Sequence, residues 1–111
     1  MGFDVNNAWN LLGDCSGRGK RAPGSPGHRD SIPWFLSLME ETCEEAWLEE
    51  FSVFFRGVHV PCANICGTLS GTNKDYTLLI GSHFDTRWIA DNEADEKKRC
   101  LPIPGVNDGT S

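Results

Sequence analysis

The chain of 111 residues is short of positive charge, of long apolar runs and of paired cysteines. It has 10 lysines and arginines against 16 aspartates and glutamates. The resulting net charge of −6 argues against a nucleic-acid-binding protein, because such proteins need a basic face for phosphates. No apolar run approaches the length of a membrane span, and the start, MGFDVNNAWN, lacks the basic and apolar regions of a signal peptide. The composition favours one small globular domain without a membrane span.

The five cysteines are odd in number and include no C-x-x-C pair. Cys62 and Cys66 are separated by three residues, but no second pair of ligands follows them at zinc-finger spacing. We therefore expect free structural thiols rather than a metal site with cysteine ligands. Free thiols favour a reducing compartment, but only weakly.

The N-terminal half predicts two helices joined by a loop. Apolar spacing indicates a helix over residues 3–14, with Asp4 as its cap and Gly13 as its stop. Residues 15–30 are rich in glycine and lack P-loop spacing, so their composition predicts an exposed connector. A second helix is expected from an N-cap at Ser31, with Pro33 in its first turn.

Strand patterns follow. Alternating apolar residues predict antiparallel strands over 49–56 and 58–69, joined by a turn at residues 56–57, with Pro61 marking a bulge or an edge. Residues 76–85, YTLLIGSHFD, hold an apolar run without alternation, which is typical of a strand buried on both faces. Open α/β sheets place their sites at the carboxyl ends of such strands, where His83 lies.

Two short constellations flank the long polar loop of residues 86–106. In an extended segment, residues i and i+2 point the same way, so Asp85 can orient the imidazole of His83. Asp108 stands where a further helix can begin, and there the helix dipole favours a carboxylate, or the side chain simply caps the helix. Each constellation taken alone is also consistent with a chance pairing or a cap.

Taken together, the strand LLIGSHFDTR, the insert ADNEADEKKR and the turn PIPGVNDGTS resemble the M28 family of zinc metallopeptidases. They resemble most its bacterial branch of glutaminyl-peptide cyclotransferases, the glutaminyl cyclases. The upstream KRAPGSPGH is similar to that family's loop before its next helix, and FDVNNAW is similar to its entry helix. One departure is TRWIAD, where members often have proline in place of Trp88.

The resemblance implies a fold and a set of roles. The fold is a three-layer α/β/α sandwich with a mixed β-sheet (phosphorylase/hydrolase-like), of which residues 1–111 form the N-terminal portion of a single catalytic domain. Asp108 is implied as a zinc ligand. His83 is implied as a ligand of a second zinc in the aminopeptidases, and as a neighbour of the metal in the single-zinc cyclases. Asp85 is implied as the carboxylate that supports His83.

The resemblance also implies an activity on peptide or protein N-termini, with one Zn²⁺ in a cyclase and two in an aminopeptidase. A cyclase is an acyltransferase that forms pyroglutamate and releases ammonia, whereas an aminopeptidase is a hydrolase. The remaining ligands and the catalytic glutamate are expected beyond Ser111, so the 111-residue chain is expected to be inactive by itself. A truncated, non-catalytic relative stays an alternative. Relatives are usually exported, but this chain shows no export signal, and the sequence leaves the compartment open.

Overall fold

The computed structural model describes residues 3–87, which form two helices and a two-stranded sheet. Helix α1 spans Val5–Gly17, α2 spans Pro26–Thr42, β1 spans Glu45–Phe55 and β2 spans Val58–Thr68. Helix α2 packs against both strands. Neither of the helices in this part of the chain has the length and apolar character needed to cross a bilayer.

Helix α1 begins where its sequence predicts and ends later. The carboxylate of Asp4 accepts a hydrogen bond from the backbone N–H of Asn7 at 3.0 Å, which caps the first turn. Gly13 does not stop the helix, which continues to Gly17. A glycine in a helix interior only lowers helix propensity, whereas a glycine stop needs a left-handed backbone, and Gly19 is the first residue after the helix with a positive φ, 76°.

Helix α2 begins earlier than predicted. Ser25, not Ser31, is the N-cap, and its hydroxyl accepts from the backbone N–H of His28 at 3.2 Å. Pro26 occupies the first helical position, where a missing N–H costs little. Pro33 therefore lies inside the helix rather than in its first turn. The predicted connector over residues 15–30 shrinks to the eight residues 18–25.

The hairpin confirms the predicted antiparallel pair. Its register runs without a break from Glu45 opposite Thr68 to Phe55 opposite Val58, so Pro61 marks no bulge. Arg56 and Gly57 have φ angles of 50° and 80°, the left-handed pair that a two-residue type I′ turn requires.

The predicted strand over residues 76–85 is wrong for the part of the chain that the structure describes. The segment has no strand pairing there, and Leu78, Leu79 and Ile80 are 75%, 92% and 84% exposed. A strand is defined by hydrogen bonds to a neighbour, and residues 3–87 place no strand beside this segment. The three-layer sandwich with a mixed sheet is thus only partly represented, by helices and one antiparallel pair.

The buried residues cluster around the connector rather than around an apolar face. Four are apolar and five are polar or charged: Cys15, Ala22, Val60 and Ala63, and Arg21, Ser25, His28, Ser31 and Thr86. All but three of these nine lie between residues 15 and 31. The connector predicted to be exposed is therefore part of the core.

Candidate functional site

His83 and Asp85 come together as the extended spacing predicts. The Nδ1 atom of His83 lies 3.2 Å from Oδ1 of Asp85 and 3.1 Å from the backbone carbonyl oxygen of Asp85. The two side chains are about half exposed, at 51% and 43%. The pair lies on the surface of the segment that leaves the hairpin, where other molecules can reach it.

The surroundings of Nδ1 fix the tautomer of His83. A carbonyl oxygen only accepts hydrogen bonds, as does an ionised carboxylate, so both contacts are favourable only when Nδ1 carries the proton. The neutral imidazole then has its lone pair on Nε2. A carboxylate on the far nitrogen also raises the basicity of a histidine, which is how proteins prepare this side chain for a metal.

Arg21 fixes the backbone on both sides of Asp85. The Arg21 side chain is 0% exposed, and its Nε donates to the carbonyl oxygen of Phe84 at 2.8 Å. Its backbone N–H donates to the hydroxyl oxygen of Thr86 at 3.0 Å, and its backbone carbonyl accepts from the N–H of Thr86 at 3.2 Å. A loop residue more than sixty positions upstream thus holds residues 84 and 86 in place.

The same guanidinium is anchored to the connector. Its Nη1 donates to the carbonyl oxygens of Cys15 at 3.1 Å and Gly19 at 3.0 Å. Hydrogen bonds from a charged donor are stronger than neutral ones, and they compensate part of the cost of burying the charge. The end of α1, the connector and the segment around Asp85 are therefore joined through one side chain.

The ring of Phe84 packs between two residues of α2. It stacks on His28 with ring centroids 5.2 Å apart and planes 8° apart, and it meets Phe35 at 5.1 Å. Burial lowers the pKa of His28, and the nearby Asp85 carboxylate partly offsets this effect. His28 is 3% exposed and its Nδ1 has no hydrogen-bond partner, as expected for a neutral ring used for packing.

An open groove of about 530 Å³ lies beside the pair. Its walls come from the hairpin and from the segment around Asp85, and its lining comprises Pro23, Val53, Phe54, Phe55, Val60, His83, Asp85, Thr86 and Arg87. Apolar hairpin side chains therefore face the polar pair across one depression. Such a setting suits a substrate with an apolar part and a polar group.

The donor chemistry of the pair suits zinc, but the described residues do not complete a zinc site. Zinc binds imidazole nitrogen and carboxylate oxygen, and a catalytic zinc takes three protein ligands. No group of three or more potential ligands is present within residues 3–87. Asp108, the other predicted ligand, lies outside the described residues, as does most of the loop over 86–106.

Cysteines do not supply the missing ligands in the described part of the chain. Cys15, Cys43, Cys62 and Cys66 are free thiols, as predicted. Burial raises the pKa of Cys62, and the Asp85 carboxylate raises it further. Both effects favour the protonated thiol, and no group of three or more potential ligands includes these cysteines within residues 3–87.

Sequence reasoning missed the roles of Arg21 and His28. Both lie in RAPGSPGH, a stretch whose glycines and prolines predict a connector. The available signal was SPGH itself, because serine followed by proline is a helix start. A helix that begins at Pro26 places His28 on its first turn and Arg21 within the ordered loop before it.

Solved structures with the same fold come from bacterial enzymes. The chain matches the glutaminyl cyclase of Fimbriiglobus ruber with a TM-score of 0.83 and 25% identity, over 99% of this chain and 37% of that one. It matches a leucine aminopeptidase precursor of Bacteroides thetaiotaomicron with a TM-score of 0.83 and 26% identity, over 100% and 38%. A Zn-dependent exopeptidase of Parabacteroides distasonis shares the fold, with a TM-score of 0.85 at 23% identity, over 100% and 38%.

No family model matches the chain, and neither does any curated protein. The similarity to known proteins is therefore a similarity to these solved structures. The chain spans less than two fifths of the length of each. The motifs around His83 and the loop before α2 predicted relatives of this kind from the sequence. The resemblance predicted from those motifs is therefore confirmed: the chain is a structural relative of the bacterial glutaminyl cyclases and zinc-dependent exopeptidases.

Proposed function

We propose that this chain is part of a zinc-dependent enzyme that acts on the N-termini of peptides, and that the enzyme is a glutaminyl-peptide cyclotransferase. The observation that carries the proposal is the pairing of His83 with Asp85 at 3.2 Å beside an open groove. Solved glutaminyl cyclases with the same fold support it. The complete domain is proposed to be a three-layer α/β/α sandwich, to which residues 1–111 contribute the N-terminal portion.

The residues of this chain have distinct proposed roles. Asp108 would hold zinc through its carboxylate. His83 would line the metal site with its lone pair on Nε2, and Asp85 keeps that tautomer by accepting from Nδ1. When bound, zinc supplies a Lewis acid that polarises a carbonyl oxygen. The apolar hairpin side chains along the groove exclude water from one side of the substrate.

A dizinc aminopeptidase is the second candidate, and the leucine aminopeptidase precursor with the same fold favours it. In this alternative, His83 would itself be a metal ligand, and Asp108 would hold zinc as well. Zinc stoichiometry distinguishes the two enzymes, with one ion per protein for a cyclase and two for an aminopeptidase. A truncated relative without catalysis is the third candidate, and it binds no zinc through these residues.

The test is pyroglutamate formation from a peptide that begins with glutamine, measured on the longest protein in which this chain occurs. The same preparation is assayed for release of an N-terminal leucine, and its zinc is counted after dialysis. Asp108→Ala is expected to abolish activity, whereas Asp14→Ala, an exposed carboxylate on α1, leaves it unchanged. A protein that holds zinc at Asp108 but catalyses neither reaction would contradict both enzymatic candidates.

A further inference from the structure

Arg21 is unusual among the charged residues of the described chain because it is completely buried in a loop. Three carbonyl oxygens accept hydrogen bonds from its guanidinium, those of Cys15, Gly19 and Phe84. A surface arginine needs no such arrangement. A buried arginine has to be surrounded by acceptors, because removing the charge from water is costly.

The contacts of Arg21 lie on both sides of Asp85, so they do more than fill space in the core. Two of its partners, Phe84 and Thr86, are the immediate neighbours of Asp85. The backbone of Asp85 is therefore held from both sides, and its carbonyl oxygen is one of the two acceptors at Nδ1 of His83. A shift of a few tenths of an ångström at residues 84–86 changes both acceptor distances together.

The ring of Phe84 adds a second, independent constraint. Stacking on His28 fixes the side chain of the residue that separates His83 from Asp85. The guanidinium fixes its carbonyl from the connector side. Helix α2 and the connector thus hold the backbone that carries the pair.

We propose that Arg21 is the positioning residue of the His83–Asp85 pair: its hydrogen bonds to Phe84 and Thr86 hold Asp85 so that His83 keeps its proton on Nδ1 and its lone pair on Nε2. The consequence for zinc rests on the proposed function. The effect on the tautomer of His83 does not, because it is a property of the metal-free chain.

Arginine is required here by geometry rather than by charge alone. Its planar fork donates in several fixed directions, which allows one side chain to reach Phe84 through Nε and Cys15 and Gly19 through Nη1. A lysine has a single ammonium group at the end of its chain and cannot span these acceptors. Arg21→Lys therefore retains the charge and loses the positioning.

The experiment measures the tautomer of His83 by two-dimensional ¹H–¹⁵N NMR of the metal-free 111-residue chain, at a pH where the ring is neutral. The variants are Thr86→Val, which removes one hydroxyl with little change of shape, and Arg21→Lys. Arg29→Lys makes the same exchange at an exposed position on α2. Ala63→Gly, at a buried position of β2, is the control for general loss of stability.

We expect the ratio of Nδ1–H to Nε2–H in His83 to fall about tenfold in Arg21→Lys, the change that corresponds to losing one hydrogen bond with a charged donor. The ratio falls by a smaller factor in Thr86→Val and is unchanged in Arg29→Lys and Ala63→Gly. Thr86→Val is the decisive variant if Arg21→Lys does not fold. An unchanged ratio in folded Thr86→Val and Arg21→Lys, or an equal fall in Ala63→Gly, would overturn the proposal.

Zinc titration of the longest protein in which this chain occurs, unmodified and with the same exchanges, separates this inference from the proposed function. Zinc is expected to shift the ring signals of His83 in the unmodified protein and in Arg29→Lys. If zinc leaves these signals unchanged while the tautomer still depends on Arg21, the proposed function fails and the positioning role stands. If zinc shifts them but the tautomer is the same in all folded variants, the positioning role fails and the zinc site stands.

Discussion

Gly27 offers a sharp test of the packing that supports the site, because two simple effects act on it in opposite directions. Alanine in place of glycine stabilises a helix interior by about 1 kcal/mol, which is an upper limit for Gly27 in the first turn of α2. At Gly27, however, a Cβ atom would overlap the backbone carbonyl oxygen of Lys20 and lie 3.2 Å from its carbonyl carbon. This obstacle is backbone, so it cannot move aside as the end of a side chain can.

The steric effect is the larger one. Overpacking costs about 1–3 kcal/mol, and more when the backbone has to move. We therefore expect Gly27→Ala to lower the free energy of unfolding by about 2 kcal/mol after its propensity gain is included. Lys20 directly precedes Arg21, so the displacement also reaches the residue that holds Phe84 and Thr86.

Gly13→Ala is the matched control, because the same exchange in α1 places a Cβ with no atom within 4 Å. It should stabilise the chain by about 0.5–1 kcal/mol. Urea unfolding followed by circular dichroism gives both values. The comparison is valid if the free energy of unfolding depends on urea concentration with the same slope in both variants. If Gly27→Ala is as stable as Gly13→Ala, the connector does not pack against α2 as described.

Three further predictions concern the same structure. Phe84→Ala should lower the free energy of unfolding by about 2 kcal/mol, less than for a fully buried phenylalanine, because the ring stacks on His28 but is only partly buried. Phe84→Leu should lower the free energy of unfolding by less, and an equal loss in the two variants would contradict the stacking. Gly57→Ala should cost about 1–2 kcal/mol through its φ of 80° alone, since its Cβ would meet no atom, and an unchanged stability in urea would contradict the turn geometry. The pKa of His28 is lower when folded than when unfolded, so the unfolded chain binds more protons and stability falls as pH drops through and below the ordinary range of histidine. His28→Phe should flatten this dependence in melting temperatures between pH 5 and 8, and an equally steep profile would count against a neutral buried His28.

Local chemistry could be predicted from the sequence, and the structure agrees with it. The cap at Asp4 involves residues three apart, and the turn at Arg56 and Gly57 joins adjacent strands. The contact between His83 and Asp85 follows from the two-residue period of extended chain. Each of these features depends on neighbours in sequence, which is why pattern and spacing were sufficient.

Features that depend on distant residues could not be predicted in the same way. Arg21 is held in part by Phe84 and Thr86, 63 and 65 positions away, whereas its glycine- and proline-rich surroundings indicated a solvent-exposed loop. The apolar run before His83 has the composition of a buried strand, but a strand needs a partner, and residues 3–87 supply none. Apolar composition predicts what a segment can bury, not whether a neighbour is present to cover it.

The location of Arg21 shows how a stretch that resembles a linker reaches the His83–Asp85 pair. Residues 18–25 connect two helices, yet they contain the arginine that reaches both sides of Asp85. Substitutions there are expected to act on the site without touching substrate. Groups that orient a histidine generally influence a site in this way, without contacting the substrate themselves.

The most direct test of the central claim is the location of zinc by anomalous diffraction at its absorption edge, in crystals of the longest protein in which this chain occurs. We predict zinc about 2.0–2.2 Å from a carboxylate oxygen of Asp108, with the His83 imidazole lining the same pocket. A His83 Nε2–zinc distance of about 2.0–2.1 Å would identify the dizinc aminopeptidase, and a longer one the cyclase. Zinc bound away from Asp108, with His83 and Asp108 on opposite surfaces, would refute the proposed zinc site.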